Sequence, residues 1–287
     1  MTVRVHYFTD PACSASWTTE PAVRKLMVDF GDSLSWTWVM GGLARDFLRD
    51  ANGNANPHAH QELLLEWLEA ADGGQMPIDP RLWTEGPISS SFPACMAVKA
   101  AAEQASDGGY RYLRALREGL FCFRRKLDTT EALVEEARGA GLNVERFRVD
   151  LGSHAIVEAF GADLERTRTL PPDARERGGA KLAQGGERVV FPTAVFSGED
   201  GAAHAVYGPR PYEEYRDAAL AAGATRAVGD PPGVLDAIDR FGRMAPRELE
   251  LVCDLPGPRA RAELWRLALD WKLRPIRVLT GFLWETA

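Results

Sequence analysis

The feature that most constrains the fold is a long helical block that separates two strand-forming segments. Val3–Thr9 alternates apolar and polar residues, Trp17–Phe30 has helical spacing, and Leu34–Met40 is rich in aromatic and β-branched residues. A helix between two strands predicts that the strands are parallel, as in a β-α-β unit. Strand character returns only at Val189–Phe196, so a single sheet requires segments from both halves of the chain.

The block between these segments is predicted to be helical throughout. Amphipathic stretches follow one another from about Arg45 to Arg168. Their ranges are Gln61–Ala71, Cys95–Ala105, Tyr110–Leu120, Thr130–Ala140 and Val144–Leu151. Asp128 or Thr129 is the expected N-cap of the helix that begins near Thr130.

After a Pro- and Gly-rich stretch, Leu170–Gly186, the sequence predicts two strands and a helix. Val189–Phe196 and His204–Tyr207 flank the turn residues 197–201 and indicate a hairpin. Pro211 is expected to be the first residue of a helix, where its missing N–H has no consequence. The element order is therefore β-α-β, a helical block, then β-β-α.

Composition excludes several classes of protein. Of the 287 residues, 45% are hydrophobic and 26% are charged, which excludes a disordered or fibrous chain. The net charge of −7 gives the molecule no overall attraction for nucleic acid or for an anionic membrane. The amino-terminal segment lacks the features of a secretory signal, and no apolar run is long enough to span a membrane. We therefore expect a cytoplasmic protein that acts on soluble substrates.

The four cysteines are far apart in the sequence, which excludes a zinc knuckle and argues against a secreted disulfide framework. Cys95, Cys122 and Cys253 stand in apolar contexts and are expected to pack in the core. Cys13 differs because it follows the first strand and begins a helix. The free N–H groups and positive dipole end of a helix stabilise a thiolate, so we expect the pKa of Cys13 to be depressed. An inert, partly buried cysteine is the alternative, and no bound metal is expected.

Pro192 interrupts the apolar run Val189–Phe196 at a point where a central strand would lose a ladder hydrogen bond. A cis Phe191–Pro192 bond at the start of the strand is one solution. It would leave the backbone polar groups of Phe191 free to pair with an extended peptide. An edge strand or a bulge with a trans proline is the other solution.

Three stretches together resemble the thioredoxin-fold proteins of the DsbA family. They are Asp10-Pro11-Ala12-Cys13-Ser14-Ala15-Ser16-Trp17, Met76–Trp83 followed by Ser91–Cys95, and Val190-Phe191-Pro192-Thr193. The resemblance covers about residues 1–223, and the middle stretch is similar to the cytoplasmic FrnE-like or YjbH-like branch of the family. It implies an α/β thioredoxin fold, β-α-β … β-β-α, with a large inserted α-helical domain and a C-terminal helical extension.

The resemblance also implies a division into domains. Residues 1–45 and 169–223 would form the thioredoxin-like domain, and residues 46–168 would form the inserted helical domain. Residues 234–287 would form the C-terminal extension, for which a winged-helix-like module is one interpretation.

The resemblance places the site around the first motif. The catalytic residues would be Cys13 and Ser16. The residues that would bind substrate are Trp17, Phe191, Pro192 and Thr193. Core packing is the alternative for Trp17. The usual motif of the family is C-x-x-C, whereas Ser16 here occupies the position of the second cysteine. Cys13 could therefore attack a disulfide but could not resolve the mixed disulfide within the same molecule.

Three functions are compatible with this pattern. The first is a thiol–disulfide oxidoreductase or isomerase with a single thiolate, whose mixed disulfides with proteins or glutathione are resolved by an external thiol. Glutathione would then be a co-substrate and no cofactor would be bound. The second is a non-catalytic thioredoxin-like adaptor that binds a protein partner, with Ser16 marking a decayed site. The third is a glutathione-dependent isomerase or transferase of small molecules.

The C-terminal extension has a small excess of positive charge. Residues 240–277 contain nine Lys and Arg against five Asp and Glu, in helices followed by the alternating run Ile276–Phe282. An apolar stripe that needs a partner surface comprises Leu264, Leu267, Ala268 and Trp271. We expect this extension to dock onto the rest of the chain, to self-associate or to bind a protein partner, and not to bind nucleic acid.

Overall fold

The computed structural model describes residues 2–199 and 201–287. Met1 and Asp200, the latter in the predicted hairpin turn, lie outside the described residues. The strands are β1 (Val3–Thr9), β2 (Leu34–Met40), β3 (Ala180–Ala183), β4 (Gly186–Val189), β5 (Thr193–Ser197), β6 (Ala203–Tyr207), β7 (Leu273–Val278) and β8 (Gly281–Thr286).

Helices occupy most of the remaining described chain. They are α1 (Ser14–Thr18), α2 (Glu20–Phe30), α3 (Ala59–Gly74), α4 (Leu82–Glu85), α5 (Phe92–Ala102), α6 (Gly108–Arg117), α7 (Thr130–Gly139), α8 (Val144–Leu151), α9 (His154–Arg168), α10 (Tyr212–Ala221), α11 (Val234–Phe241), α12 (Pro246–Val252) and α13 (Gly257–Leu269). A 3₁₀ turn covers Gly31–Ser33 and a π-helical turn covers Glu118–Cys122. Within the described ranges, no helix is both long and apolar enough to cross a bilayer.

The central sheet has the strand order β2-β1-β5-β6. β1 and β2 are parallel, which confirms the predicted β-α-β unit, and β5 is antiparallel to both β1 and β6. Alternate residues of β1 face opposite sides of the sheet. Val5 and Tyr7 pack against Phe30 of α2 and Tyr215 of α10, whereas Phe8 lies on the side of Cys13. This is the α/β architecture that the family resemblance implies, with α3–α9 inserted between the two halves of the sheet.

The first predicted helix is divided in two. Trp17–Phe30 was predicted as one helix, but α1 ends at Thr18 and α2 begins at Glu20. Pro21 has no N–H to donate to the carbonyl one turn earlier, so the hydrogen-bond ladder cannot continue through it. Pro211 was predicted to be the first residue of a helix, but it is the N-cap of α10, which begins at Tyr212.

The sequence prediction missed two elements. Helix α9 begins after Ser153, whose hydroxyl oxygen accepts a hydrogen bond from the Ile156 N–H at 3.3 Å. The β3–β4 hairpin begins in the Pro- and Gly-rich stretch Leu170–Gly186, for which no strand was predicted. Gly185 of its turn and Gly186, the first residue of β4, have φ of 87° and 120°, a conformation that glycine adopts without strain. A Gly-Gly pair is a hairpin signal, but the short flanking strands carry little β-branched sequence.

The C-terminal extension has its own core. Helices α11–α13 precede the β7–β8 hairpin, and Met244 forms an isolated bridge with Trp284. The alternating run Ile276–Phe282 was predicted as one strand, but it contains the turn between β7 and β8. Leu264 and Leu267 face the core, whereas Trp271 is 87% exposed, so the predicted stripe is wrong for this residue. Trp271 follows the end of α13 with a φ of 58° and no longer obeys helical spacing.

A buried cluster of charged residues attaches this extension to the rest of the chain. Glu20 on α2 accepts a hydrogen bond from Arg117 Nη1 on α6 at 2.5 Å. Glu248 on α12 lies 2.9 Å from Arg24 Nη1 and 2.8 Å from Arg114 Nη1. The five side chains are at most 6% exposed. The ion pairs of Glu248 therefore connect α12 of the extension to α2 and α6 of the rest of the chain.

Candidate functional site

Cys13 lies at the N-cap of α1, as the sequence predicts. Its backbone N–H donates to the carbonyl oxygen of Asp10 at 3.2 Å, and its own carbonyl accepts from the Trp17 N–H at 3.0 Å. The side chain is buried in a cluster with Phe8, Val39, Val189 and Phe191, and only 5% of the residue is exposed. The thiol therefore lies at the start of a helix, as predicted, but it is not accessible at the surface.

Asp10 fixes the motif to the inserted helices, and it was not identified from the sequence. Its carboxylate is fully buried and accepts hydrogen bonds from the backbone N–H groups of Ala12 at 2.8 Å and Leu43 at 2.6 Å. The Ser91 hydroxyl and the Cys95 thiol donate to the same carboxylate at 2.8 and 3.2 Å. Burial raises the pKa of Asp10, although these hydrogen bonds oppose the rise. Its position directly after a strand and shortly before the motif cysteine is the sequence feature that could have identified it.

The predicted substrate-binding residues near the proline are brought beside Cys13. The Phe191–Pro192 bond is cis, and the Phe191 ring belongs to the same apolar cluster as Cys13. The Thr193 hydroxyl donates to the Val190 carbonyl at 2.7 Å. All three residues, 191–193, are buried, so none offers a free surface to a substrate in this structure.

The β3–β4 hairpin contributes to this burial. Val189, the last residue of β4, packs in the cluster that encloses Cys13. The Arg188 guanidinium lies 3.8 Å from the centre of the Phe191 ring, and its Nη1 donates to the Val189 carbonyl at 2.8 Å. Arg188 is itself only 6% exposed. Sequence reasoning missed this arginine, although it closely precedes the stretch Val190-Phe191-Pro192-Thr193.

A glutamine between β3 and β4 holds this hairpin in place. The Gln184 side-chain amide donates to the carbonyls of Asp46 and Arg49 at 2.7 and 2.8 Å. Its oxygen accepts from the backbone N–H groups of Arg45 and Asp46 at 3.0 and 3.1 Å. The hairpin is thus tied at its turn to the loop that follows β2.

The prediction of a depressed pKa for Cys13 is wrong in this structure. Burial raises the pKa of the Cys13 thiol, and the carboxylates of Asp10 and Glu66 add to the rise. Ser16 opposes it through its side chain and its backbone N–H. The Ser16 hydroxyl is fully buried and has no hydrogen-bond partner of ordinary geometry among the described residues. Desolvation of the thiolate outweighs the contribution of a helix that is only five residues long.

Trp17 does not lie at this site, which corrects its assignment as a substrate-binding residue. It is fully buried in the core of the helical block, where its ring stacks on Phe121 at 5.7 Å. Its Nε1–H donates to the Pro77 carbonyl at 3.1 Å, and the Arg114 guanidinium lies 4.5 Å from its ring centre. The core-packing alternative describes Trp17 correctly.

The other cysteines are buried, as predicted for core residues. Cys95, Cys122 and Cys253 are 0%, 4% and 7% exposed, and all four cysteines are free thiols. Among residues 2–199 and 201–287, no three His, Cys, Asp or Glu side chains are grouped so that they could hold a metal ion.

We expect Cys13 to react slowly in the folded protein. In a variant that retains only this one of the four cysteines, the pH dependence of alkylation by iodoacetamide should give an apparent pKa above the value of about 8.5 for a free thiol. The same variant unfolded in urea should react faster and show the ordinary pKa, because the thiol is then solvated. A lower pKa in the folded state than in urea would contradict this description of the site.

Curated relatives match this chain over its whole length. The ClpXP adapter protein SpxH of Halalkalibacterium halodurans is 27% identical over 286 residues, which cover 99% of this chain and 88% of that protein. The protein of the same name from Bacillus subtilis is 26% identical over 295 residues, which cover 99% of this chain and 89% of that protein.

A family model and a solved structure each match a large part of the chain. The cytosolic disulfide reductase DsbM from Pseudomonas aeruginosa superposes with a TM-score of 0.56 at 18% identity, covering 76% of this chain and 98% of that chain. This likeness concerns the fold alone. The family model described as thioredoxin matches residues 6–171, from the first strand through the inserted helices. The chain therefore belongs to the thioredoxin family, as a DsbA-like member with a helical insertion in its fold.

Proposed function

We propose that this chain is a non-catalytic adapter that binds a client protein in the cytoplasm and delivers it to the protease ClpXP. The observation that carries the proposal is the extent of the similarity to the SpxH adapters. It includes 99% of the chain and therefore the C-terminal extension, which lies beyond the residues matched by the thioredoxin model. The likeness to a disulfide reductase, by contrast, covers 76% of the chain.

The chemistry of the motif supports the same proposal. A thiol–disulfide exchange enzyme needs an accessible thiolate. Cys13 is 5% exposed, burial raises its pKa, and Ser16 cannot resolve a mixed disulfide. The prediction of a single-thiolate oxidoreductase or isomerase therefore has less support than the adapter alternative, although both use the same fold.

The test compares wild-type protein with Cys13→Ser in the organism that encodes the chain. Deletion of the gene should lengthen the half-life of at least one ClpXP substrate, and Cys13→Ser should restore rapid degradation as fully as wild type does. The same client should be retained by affinity-tagged wild-type and Cys13→Ser proteins in cells whose ClpP is inactive. Because the contact is non-covalent, treatment with dithiothreitol should leave retention unchanged.

Two results would overturn the adapter proposal. One is failure of Cys13→Ser to restore degradation although it accumulates to the wild-type level. The other is a client that is released by dithiothreitol, which would indicate a mixed disulfide and favour the catalytic alternative. Cys253→Ser is the matched control, since it removes a buried cysteine from the extension and should behave as wild type.

A further inference from the structure

A groove lies between α3 of the helical block and the C-terminal extension. One wall is formed by Leu68 and Ala71 of α3, and the other by Trp265 of α13 with Phe282 and Trp284 of β8. Its volume is about 610 Å³. This lies within the range of about 300–1,000 Å³ of pockets that bind small ligands, so the groove accommodates one or two large side chains. We call it the α3–β8 groove.

Part of the apolar lining of the groove is exposed to solvent, whereas Ala71 and Trp284 are buried behind it. Trp265 is 50% exposed and Leu68 is 38% exposed. The Trp265 ring stands edge-on to Trp284 at 5.0 Å and to Phe282 at 6.2 Å, which fixes its orientation. A large apolar side chain that entered the groove would be covered by these rings without reorganising them.

Two arginines that line the groove have no acidic partner. Arg261 and Arg277 form no ion pair with any residue in the described ranges, and the Arg277 guanidinium lies over the Phe282 ring at 4.8 Å. The third arginine of the lining, Arg247, is paired with Glu250 at 2.9 Å. Asp72 is the remaining carboxylate of the lining. The groove therefore offers two free cations against one free carboxylate, a balance that favours an acidic occupant.

We propose that the α3–β8 groove binds a short acidic peptide segment of a protein partner, with one large apolar side chain of that segment inserted against Trp265. This inference rests on the proposed adapter function and assigns a recognition surface to it. The apolar anchor accounts for the tryptophan-lined walls, and acidic residues on either side of it would pair with Arg261 and Arg277. The groove is separate from the Cys13 cluster, so its use does not depend on the thiol.

The probe is a set of fluorescein-labelled synthetic peptides that share the pattern Asp-Glu-X-X-Glu-Asp. X-X is Leu-Phe, Trp-Leu, Ile-Leu or Ser-Ser, and a control replaces the four acids by lysine. Binding to the full chain is measured by fluorescence anisotropy. We expect at least one apolar peptide to bind, the Ser-Ser and lysine peptides to bind at least about tenfold more weakly, and salt to weaken binding.

Variants of the groove localise the binding. Trp265→Ala and the double variant Arg261→Glu/Arg277→Glu should each weaken binding by about tenfold or more. Trp271→Ala is the matched control, because it removes an exposed tryptophan of the extension that does not line the groove. Unchanged circular dichroism and melting temperature of each variant would show that the fold is retained.

The inference is overturned if none of the apolar acidic peptides binds, or if Trp265→Ala binds them as wild type does. The adapter proposal is judged separately by client capture. If wild type and Trp265→Ala capture a client equally, the groove does not bind that client, and the adapter proposal is unaffected. Absence of any captured client with wild type would instead count against the adapter proposal.

Discussion

Replacing Glu20 with alanine is expected to lower the free energy of unfolding by about 3–5 kcal/mol. Glu20 is fully buried and accepts hydrogen bonds from Arg117 at 2.5 Å and from the Tyr110 hydroxyl at 2.6 Å. Arg24 and Arg114 lie 3.9 and 4.0 Å from its carboxylate. Removal of this one negative charge leaves buried cations without full compensation, which is more unfavourable than losing an exposed ion pair.

Urea unfolding followed by circular dichroism measures this change. Glu20→Gln preserves the shape and tests the charge if the alanine variant does not fold. Glu263→Ala is the control, because Glu263 pairs with Arg266 at the surface and its removal should change stability little. Equal effects of the Glu20 and Glu263 substitutions would show that the buried cluster does not stabilise the molecule.

The same cluster predicts a pH dependence. Burial alone would raise the pKa of Glu20, but Arg117, Arg114 and Arg24 hold it below its ordinary value. A carboxylate with a depressed pKa stabilises the fold above its unfolded pKa of about 4.3 and loses that contribution as the pH falls through the folded value. Wild-type stability should therefore fall in acid, and Glu20→Gln should fall less steeply. The pKa of Asp10 is raised by burial, so its contribution has the opposite sign and cannot explain this difference.

Trp17→Ala should destabilise the protein by about 3–5 kcal/mol, the usual effect of removing a buried aromatic side chain. The indole is fully buried, stacks on Phe121, and donates its Nε1–H to the Pro77 carbonyl. Trp17→Phe should lose only about 1–2 kcal/mol, because it retains an aromatic ring and forfeits the hydrogen bond. The Pro77 carbonyl still accepts from the Cys122 thiol at 3.3 Å.

Chemical unfolding of the two Trp17 variants and of Trp271→Ala would check this series. Trp271 is 87% exposed, so its removal should have little effect. A small effect of Trp17→Ala, comparable with that of Trp271→Ala, would contradict the core role. It would reopen the sequence prediction that Trp17 binds substrate.

Periodicity predicted β1 and β2 of the central sheet well, because the alternation of residues between the two faces of a strand is visible within the strand's own sequence. Val3–Thr9 and Leu34–Met40 are the observed β1 and β2. Their alternate residues face either the α2 side or the Cys13 side of one sheet, and that alternation is visible in a single stretch of sequence. The same argument found the β5–β6 hairpin, but it predicted one strand over Val189–Phe196, whereas Val189 ends β4 and β5 begins at Thr193.

The environment of Cys13 could not be predicted in this way. The local sequence places a thiol at the start of a helix and therefore predicts a lowered pKa. The groups that raise it come from elsewhere: Phe191 and Val189 enclose the thiol, and Glu66 of α3 adds negative charge. Desolvation depends on these distant segments, so only the folded structure reveals which effect is larger.

The pairing of β1 with β5 has a consequence for how the chain is made. β1 is a central strand, and Phe8 pairs with Thr193. At about 5–20 residues per second, a ribosome needs on the order of 10–40 s to synthesise the segment between them. The inserted helices end at Arg168, so their synthesis is finished on the order of 1–5 s before β5 begins at Thr193. Until β5 is synthesised, one edge of β1 lacks its native neighbour, so the nascent chain carries an unpaired strand edge, a feature that favours aggregation.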